Sequence, residues 1–296
     1  MTLDDLIYKP GLLQGQRILV TGGGSGLGRV MAEALLLLGA DVYICGRRLA
    51  VVEQTAGELM QAHGGRVVPL ACDIRDDAAI HALIDTIWAD GGALTGLINN
   101  AAGNFVSRTE DLSSRAFDAI ANTVFRGSFC MTLACGKRWL AEGRKASVLS
   151  ILTTWVWNGS PYTVPSAMSK AGLNAMTQSL AVEWGGRGIR FNAIAPGLFP
   201  TEGMSARLNP GGGEHIAEGN PMGRNGRMPE LANLAAFLMS SGSEYLTGQT
   251  IAIDGAQYQA TGGNFAHMAS WTDDDWTAAR QNIQSRTAED KRLRSA

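Results

Sequence analysis

The chain has 296 residues, of which 37 are glycine, about 12.5% against roughly 7% in average usage, while charged residues at 18% fall below the usual quarter. A 45% hydrophobic share over this length can bury a large core, which excludes disorder for most of the chain and fits one large α/β domain or two small ones. Lys plus Arg at 25 against Asp plus Glu at 27 leaves a net −2, which excludes a global attraction to nucleic acid or an anionic membrane and makes small-molecule chemistry the default.

In chain order, the first ten residues, MTLDDLIYKP, place acids where a secretory signal carries a basic region, and no apolar run reaches the roughly 18 residues of a membrane span, so a cytoplasmic protein is expected. Apolar, β-branched runs then recur as RILVT, DVYIC, RVVPLAC, GLINN, ASVLSIL, IRFNAIAP and TIAIDG, which predicts seven strands. Helical stretches are expected from near Gly26, Leu49, Asp76, Ser113, Ser166 and Pro229. Strands alternating with helices dictate parallel pairing with right-handed crossovers, hence an α/β, doubly wound seven-stranded parallel sheet covered by helices on both faces. The predicted domain covers 12–258. Residues 209–226 are rich in Gly and Pro and read as part of a substrate flap over 200–227, beyond the carboxyl end of a strand. A tail over 259–296 follows, expected to pack on or near the active site. In it Thr272 and Asp273 to Asp275 offer cap and dipole charge for a tail helix.

The first chemical signal is Thr21-Gly22-Gly23-Gly24-Ser25-Gly26-Leu27-Gly28, directly after the RILV run and at the start of a helix. Glycines let the chain turn sharply and approach a pyrophosphate, and the free N–H groups and macrodipole of the helix favour negative charge there. Strand before and helix after make this a Rossmann-type dinucleotide site, with Gly22, Gly24, Ser25, Gly26, Leu27 and Gly28 as cofactor-binding residues. After the second strand, an NAD-selective site would place an acid to accept from the ribose hydroxyls. The run DVYICGRR has Gly46 there, followed by Arg47 and Arg48, cationic donors where a 2′-phosphate would lie, so the expected cofactor is NADP(H).

Four cysteines, Cys45, Cys72, Cys130 and Cys135, show no CxxC or Cys/His zinc spacing and read as core thiols. His63, His81, His215 and His267 lack HExxH or paired-carboxylate company, and no metal site is expected.

With TGGGSGLG at 21–28, NNAAG at 99–103 and Ser166 four residues before Lys170, the chain resembles the short-chain dehydrogenases/reductases. NNAAGNF at 99–105, VPSAMSKAG at 164–172, AVEWG at 181–185, RFNAIAPG at 190–197 and ELANLAAFL at 230–238 resemble the 2,4-dienoyl-CoA reductase branch, over about Leu12 to Arg286. The resemblance implies that Asp73 and Ile74 contact the adenine and that Asn99 to Gly103, including Asn100 and Ala101, line the adenosine side. Ile194, Pro196 and Gly197 would flank the nicotinamide, and Lys170 would bond its ribose. It further implies that Asn104 and Phe105 meet the acyl thioester, that Ser166 lies in the active site, and that Ser113 and Arg207 hold the CoA portion of an acyl-CoA substrate. A homotetramer built on helices around 113–141 and 166–185, and a place in fatty acid metabolism, are also implied.

The sequence departs from the family where proton transfer is decided. The usual Tyr-x-x-x-Lys spacing would put tyrosine at 166, where Ser166 stands, a departure the dienoyl-CoA reductase branch shares. That branch carries a tyrosine fifteen residues before the lysine, and here the position is Trp155. An indole N–H donates a hydrogen bond but does not surrender a proton, whereas a phenol near pKa 10 does. Ketone reduction needs a proton on oxygen. Conjugate reduction of an unsaturated thioester needs only fixed donors to an enolate oxygen, a task within reach of Asn104 and Trp155. Tyr162, eight residues before Lys170, is a second candidate acid or a pocket wall, and Thr153 keeps a hydroxyl where the family has a substrate-orienting serine. Trp155, Trp157, Phe105, Phe199 and Met204 suggest an apolar cavity for a bulky chain. The leading expectation is an NADPH-dependent dienoyl-CoA-type reductase. The alternatives are a carbonyl reductase or alcohol dehydrogenase on a bulky apolar substrate, and a catalytically impaired NADP-binding subunit.

Overall fold

A computed structural model describes residues 1–104, 106–201, 220–261, 268, 270–279 and 281. Seven strands form one parallel sheet: β1 (Arg17–Thr21), β2 (Asp41–Gly46), β3 (Val67–Ala71), β4 (Gly96–Asn99), β5 (Ala146–Ile151), β6 (Ile189–Pro196) and β7 (Thr250–Ile253). Their spatial order is β3-β2-β1-β4-β5-β6-β7. Every residue of β4 and β5 is buried, which is why these runs are apolar throughout instead of alternating. Pro69, which cannot donate to a ladder, lies in β3, an edge strand.

The crossover helices are α1 (Gly26–Leu37), α2 (Leu49–His63), α3 (Asp77–Ala89), α4 (Ser114–Ala121), α5 (Ser128–Glu142), the single turn α6 (Trp155–Asn158), α7 (Val164–Gly185), α8 (Met228–Met239) and the single turn α9 (Gln257–Ala260). Two large clusters fill the faces of the sheet. One joins Met31 and Leu35 of α1 and Leu231 of α8 to Val20, Ile44 and Ile194. The other joins Met131 and Trp139 of α5 and Trp184 of α7 to Leu19, Leu97 and Phe191. Cys45, Cys72 and Cys135 are buried and Cys130 is half-buried, all as free thiols.

Three local differences from the sequence reading have physical causes. The segment expected as one long helix around 113–141 is interrupted by a π-helical stretch, Asn122–Gly127. There Gly127 lies against Ile74, and a Cβ added to it would stand 2.8 Å from the Ile74 carbonyl oxygen. The helix expected near Ser166 begins at Val164, with Pro165 in its first turn, where a missing N–H costs nothing. Phe199, expected to line a cavity, is instead core, with Gly226 against its ring.

Because β1 and β4 are neighbours while β2 and β3 lie to one side, the sheet order reverses between them and opens a crevice at their carboxyl ends. The glycine turn after β1, the NNAAG turn after β4 and the segment after β5 all leave the sheet on this edge. In the tail, residues 273–279 are helical, and Thr272 and Asp275 exchange bonds across the first turn: the Thr272 N–H donates to Asp275 Oδ2 at 2.8 Å, and the Asp275 N–H to Thr272 Oγ1 at 3.3 Å. Among the described residues no helix is long and apolar enough to cross a membrane.

Candidate active site

The crevice is built first by Thr21, the last residue of β1. Its buried hydroxyl oxygen accepts the N–H groups of Asn100 and Ala101, each at 3.0 Å. Asn100 answers by donating through Nδ2 to the Thr21 carbonyl at 2.9 Å and the Gly22 carbonyl at 3.3 Å. Two turns that are 79 residues apart are thereby fixed as one floor. Gly22 adopts φ +66 with Ala101 pressed against it, and a Cβ on Gly28 would overlap the Gly22 carbonyl oxygen and the Asn100 amide. Only glycine fits both places.

Gly26 opens α1. Its N-cap, Ser25, is extended and its side chain accepts no cap hydrogen bond, and the first turn holds no acid. The leading N–H groups of α1 therefore stay available to an anion, with the positive end of the helix behind them. Backbone donors, tight glycines and an acid-free helix start fit the pyrophosphate of a nicotinamide dinucleotide.

Arg47 is exposed at the carboxyl end of β2, and its charge adds to the pull of Arg75 that holds the Asp73 carboxyl below the ordinary range. The larger cause is Arg75, whose Nε donates to Asp73 Oδ1 at 2.9 Å while its backbone N–H donates to the same oxygen at 3.1 Å. Asp73 is thus an ionised, pre-oriented acceptor, and Ile74 beside it is buried. With Arg47 and Arg48 exposed and no carboxylate at Gly46, the donor set suits a 2′-phosphate.

At the carboxyl end of β5, Lys170 and Ser166 are both buried, one turn apart on α7. The Lys170 ammonium donates to the backbone carbonyl of Ile151, the last residue of β5. Burial pushes its pKa down to about 8. Thr153 Oγ1 accepts the Trp155 N–H at 3.5 Å, and Trp155, half-buried, is the first residue of α6. Thr153, Trp155, Ser166 and Lys170 are thus gathered on the segment after β5 and the first turns of α7. Pro196 and Gly197 close the end of β6, where the Gly197 N–H donates to the Ile253 carbonyl at 3.0 Å.

Asn104 is half-buried on the loop after β4, and two residues later in the described chain Val106 leads to Ser107, whose N–H donates to the Tyr162 carbonyl at 2.9 Å. Tyr162 is 58% exposed and holds φ +63, a left-handed conformation rare for a bulky side chain. Its carbonyl ties the loop carrying Asn104 to the loop leading into α7. Ser113 is the N-cap of α4, its Oγ accepting the Ala116 N–H at 3.2 Å. Phe105, Arg207 and Met204 lie outside the described residues, as do His215 and His267; among the described residues no His/Cys/Asp/Glu group could hold a metal.

Sequence reasoning missed four participants. Thr21 belongs to the glycine motif and Arg75 lies two residues from Asp73, so both had a local signal. Tyr258, whose ring stacks on that of Trp157, and Asp254, which accepts the Tyr258 N–H, had none.

The profile of the enoyl-(acyl carrier protein) reductase family matches residues 22–256. A probable 2,4-dienoyl-CoA reductase ((3E)-enoyl-CoA-producing) of Caenorhabditis elegans is 40% identical over 294 residues, covering 96% of this chain and 94% of the relative. The citronellol catabolism dehydrogenase of Pseudomonas aeruginosa PAO1 superposes with a TM-score of 0.76 at 36% identity, covering 86% of this chain and 100% of that one. A gluconate 5-dehydrogenase of Burkholderia cenocepacia J2315, solved with NADP and tartrate, superposes with a TM-score of 0.77 at 27% identity, covering 83% of this chain and 96% of that one. A seven-stranded parallel sheet, a glycine turn locked onto Asn100 and Ala101, a buried Lys170 and these likenesses place the chain in the short-chain dehydrogenase/reductase family of oxidoreductases.

Proposed function

We propose that the protein is an NADPH-dependent reductase of a conjugated carbon–carbon double bond in an unsaturated acyl-CoA thioester, of the 2,4-dienoyl-CoA reductase type. The observation that carries this reading is the set of donors on the segment after β5 and the start of α7: α7 presents Ser166 one turn before Lys170, not a phenol, and α6 begins with the indole of Trp155. The activity named for the C. elegans relative supports the same substrate class. The complex of the B. cenocepacia structural relative with NADP supports the choice of coenzyme.

When bound, the coenzyme supplies a hydride. Arg47 and Arg48 bind its 2′-phosphate, and the N–H groups at the start of α1 bind its pyrophosphate. Lys170 would hold the nicotinamide ribose and would supply positive charge to that part of the site. Asn104 and Trp155 donate to the thioester oxygen, where negative charge collects when two electrons enter the conjugated chain. Neither group gives up a proton, so the oxygen is stabilised as in an oxyanion hole and water returns the proton to carbon. A ketone would need that proton on oxygen, which an indole does not provide.

We also propose a homotetramer. Phe117, Phe125 and Phe129 along α4, the π-helical stretch and α5, with Met168 and Val182 on α7, are large apolar side chains left exposed in the single chain, in support of this assembly.

The deciding experiment follows NADPH absorbance with dienoyl-CoA, enoyl-CoA and ketone panels. Dominant dienoyl-CoA turnover is expected. Dominant ketone reduction would turn the assignment to a carbonyl reductase with Tyr162 as the acid, and NADPH binding without consumption of any substrate would leave only a binding subunit.

A further inference from the structure

Trp155 stands on a helix of only four residues, and a single turn has no stability of its own. Its N-cap Thr154 makes no side-chain cap, the Thr153 hydroxyl oxygen accepts the first N–H only at 3.5 Å, and the turn ends at Gly159, φ +69. On one side Val156 packs on the cluster that includes Leu152, Leu173 and Met176, and on the other the turn is held from across the site. The ring of Trp157 stacks on that of Tyr258, centroids 4.6 Å apart and planes 23° from parallel. Beside this pair, the Asn158 side chain meets the Thr261 hydroxyl at 3.1 Å; with its amide turned so that the oxygen accepts from Thr261, its NH2 also donates to the carbonyls of Thr154 and Gly159.

Tyr258 in turn sits on α9, another single turn, and is held by Asp254 at the end of β7. The buried Asp254 carboxylate accepts the Ala256 N–H through Oδ1 at 3.0 Å and the Tyr258 N–H through Oδ2 at 2.9 Å. Its own carbonyl accepts from Asn220 Nδ2 at 2.8 Å. Gly197 is packed on Asp254 so closely that an added Cβ would stand 2.7 Å from the Asp254 Cβ. A continuous set of contacts therefore runs from the end of β6 through Asp254 and Tyr258 to Trp157, and Trp157 shares one helical turn with Trp155.

We propose that Tyr258 is a positioning residue: its ring, stacked on Trp157, holds α6 in place and thereby aims Trp155 within the site. As a statement about catalysis this rests on the donor role assigned to Trp155 above. As a statement about the fixing of α6 it stands alone. Only the ring is required, because the phenol makes no hydrogen bond with the described residues.

The test compares Tyr258→Ala, Tyr258→Leu, Tyr258→Phe, Trp157→Ala and the double variant Tyr258→Ala/Trp157→Ala. Amide hydrogen exchange over 154–158 should speed up about tenfold in Tyr258→Ala and Tyr258→Leu, the upper end of what one aromatic pair contributes, and return to the wild-type rate in Tyr258→Phe. With dienoyl-CoA, kcat should fall about tenfold in the Ala and Leu variants, with NADPH affinity, read by fluorescence titration, within about twofold of wild type. The double variant should be no worse than Trp157→Ala. Unchanged exchange over 154–158, failure of Tyr258→Phe to restore it, or acceleration spread equally over the whole sheet would overturn the proposal. If the wild type turns over no dienoyl-CoA, the functional assignment fails, and the exchange data still decide whether Tyr258 fixes α6. Should Tyr258→Ala not fold, Tyr258→Leu, which keeps bulk without a ring, carries the comparison.

Discussion

The Lys170 ammonium donates to the backbone carbonyl of Ile151, nineteen residues earlier in the chain, from a buried position. A cation there is costly, and burial lowers its pKa from 10.5 to about 8. The unfolded chain then binds more protons than the native one between about pH 8 and 10.5, so Lys170 makes native stability rise with pH across that window. Below pH 8 its desolvation cost is carried in full, on the order of 3 kcal/mol at most. Chemical denaturation of wild type and Lys170→Met from pH 7 to 10.5 should show the difference between them moving in favour of the wild type as pH rises. A pH-independent difference would contradict this.

Trp155 is the donor whose loss should be felt in turnover. Trp155→Phe keeps the bulk and removes the N–H, and kcat on dienoyl-CoA should fall by roughly 10² with NADPH affinity unchanged. Trp155→Tyr restores a phenol fifteen residues before Lys170 and should gain ketone reduction. Steady-state kinetics on both substrate classes reads both outcomes; unchanged dienoyl-CoA turnover in Trp155→Phe would remove the indole from the mechanism.

Arg47 should discriminate between coenzymes. A charge-assisted bond is worth about 1.5–3 kcal/mol, so Arg47→Ala should weaken NADPH binding by roughly 10- to 100-fold. NADH, lacking the 2′-phosphate, should bind as before. Titration calorimetry with both nucleotides checks the contrast, and equal losses would point to a structural role for Arg47 instead.

Ala256 holds φ +65, ψ +19, a left-handed conformation that costs an L-residue roughly 1–2 kcal/mol, while glycine adopts it freely. Part of that gain is offset by the greater freedom of glycine in the unfolded chain. Ala256→Gly should therefore stabilise the protein by about 1 kcal/mol, raising Tm by about 2 °C. A lowered Tm in thermal denaturation would mean that Ala256 makes contacts worth more than its strain.

Gly28→Ala should do the opposite at the cofactor turn. The new methyl would collide with the Gly22 carbonyl and the Asn100 amide, neither of which can move without breaking the Thr21 network. Loss of dinucleotide binding by at least about tenfold, with a fall in stability of about 1–3 kcal/mol, is expected from overpacking a backbone contact. Binding and denaturation measured on the same preparation would expose a tolerant site.

What the sequence determined by itself was everything governed by neighbouring residues. Seven apolar runs announced seven strands, and the inner five are largely buried because a strand covered on both faces has no polar alternation. The order Gly22 to Gly28 between a strand and a helix announced the crevice because backbone conformation and helix dipole are local properties. The break in the helix after Ala121 was invisible, since Gly127 answers to Ile74 on a different part of the chain. The carbonyl under Lys170 and the stack of Trp157 on Tyr258 were likewise decided by the tertiary structure alone. These interactions depend on distances between side chains and backbone after the sheet has assembled. Periodicity and composition carry the burial of each segment but not which buried groups meet.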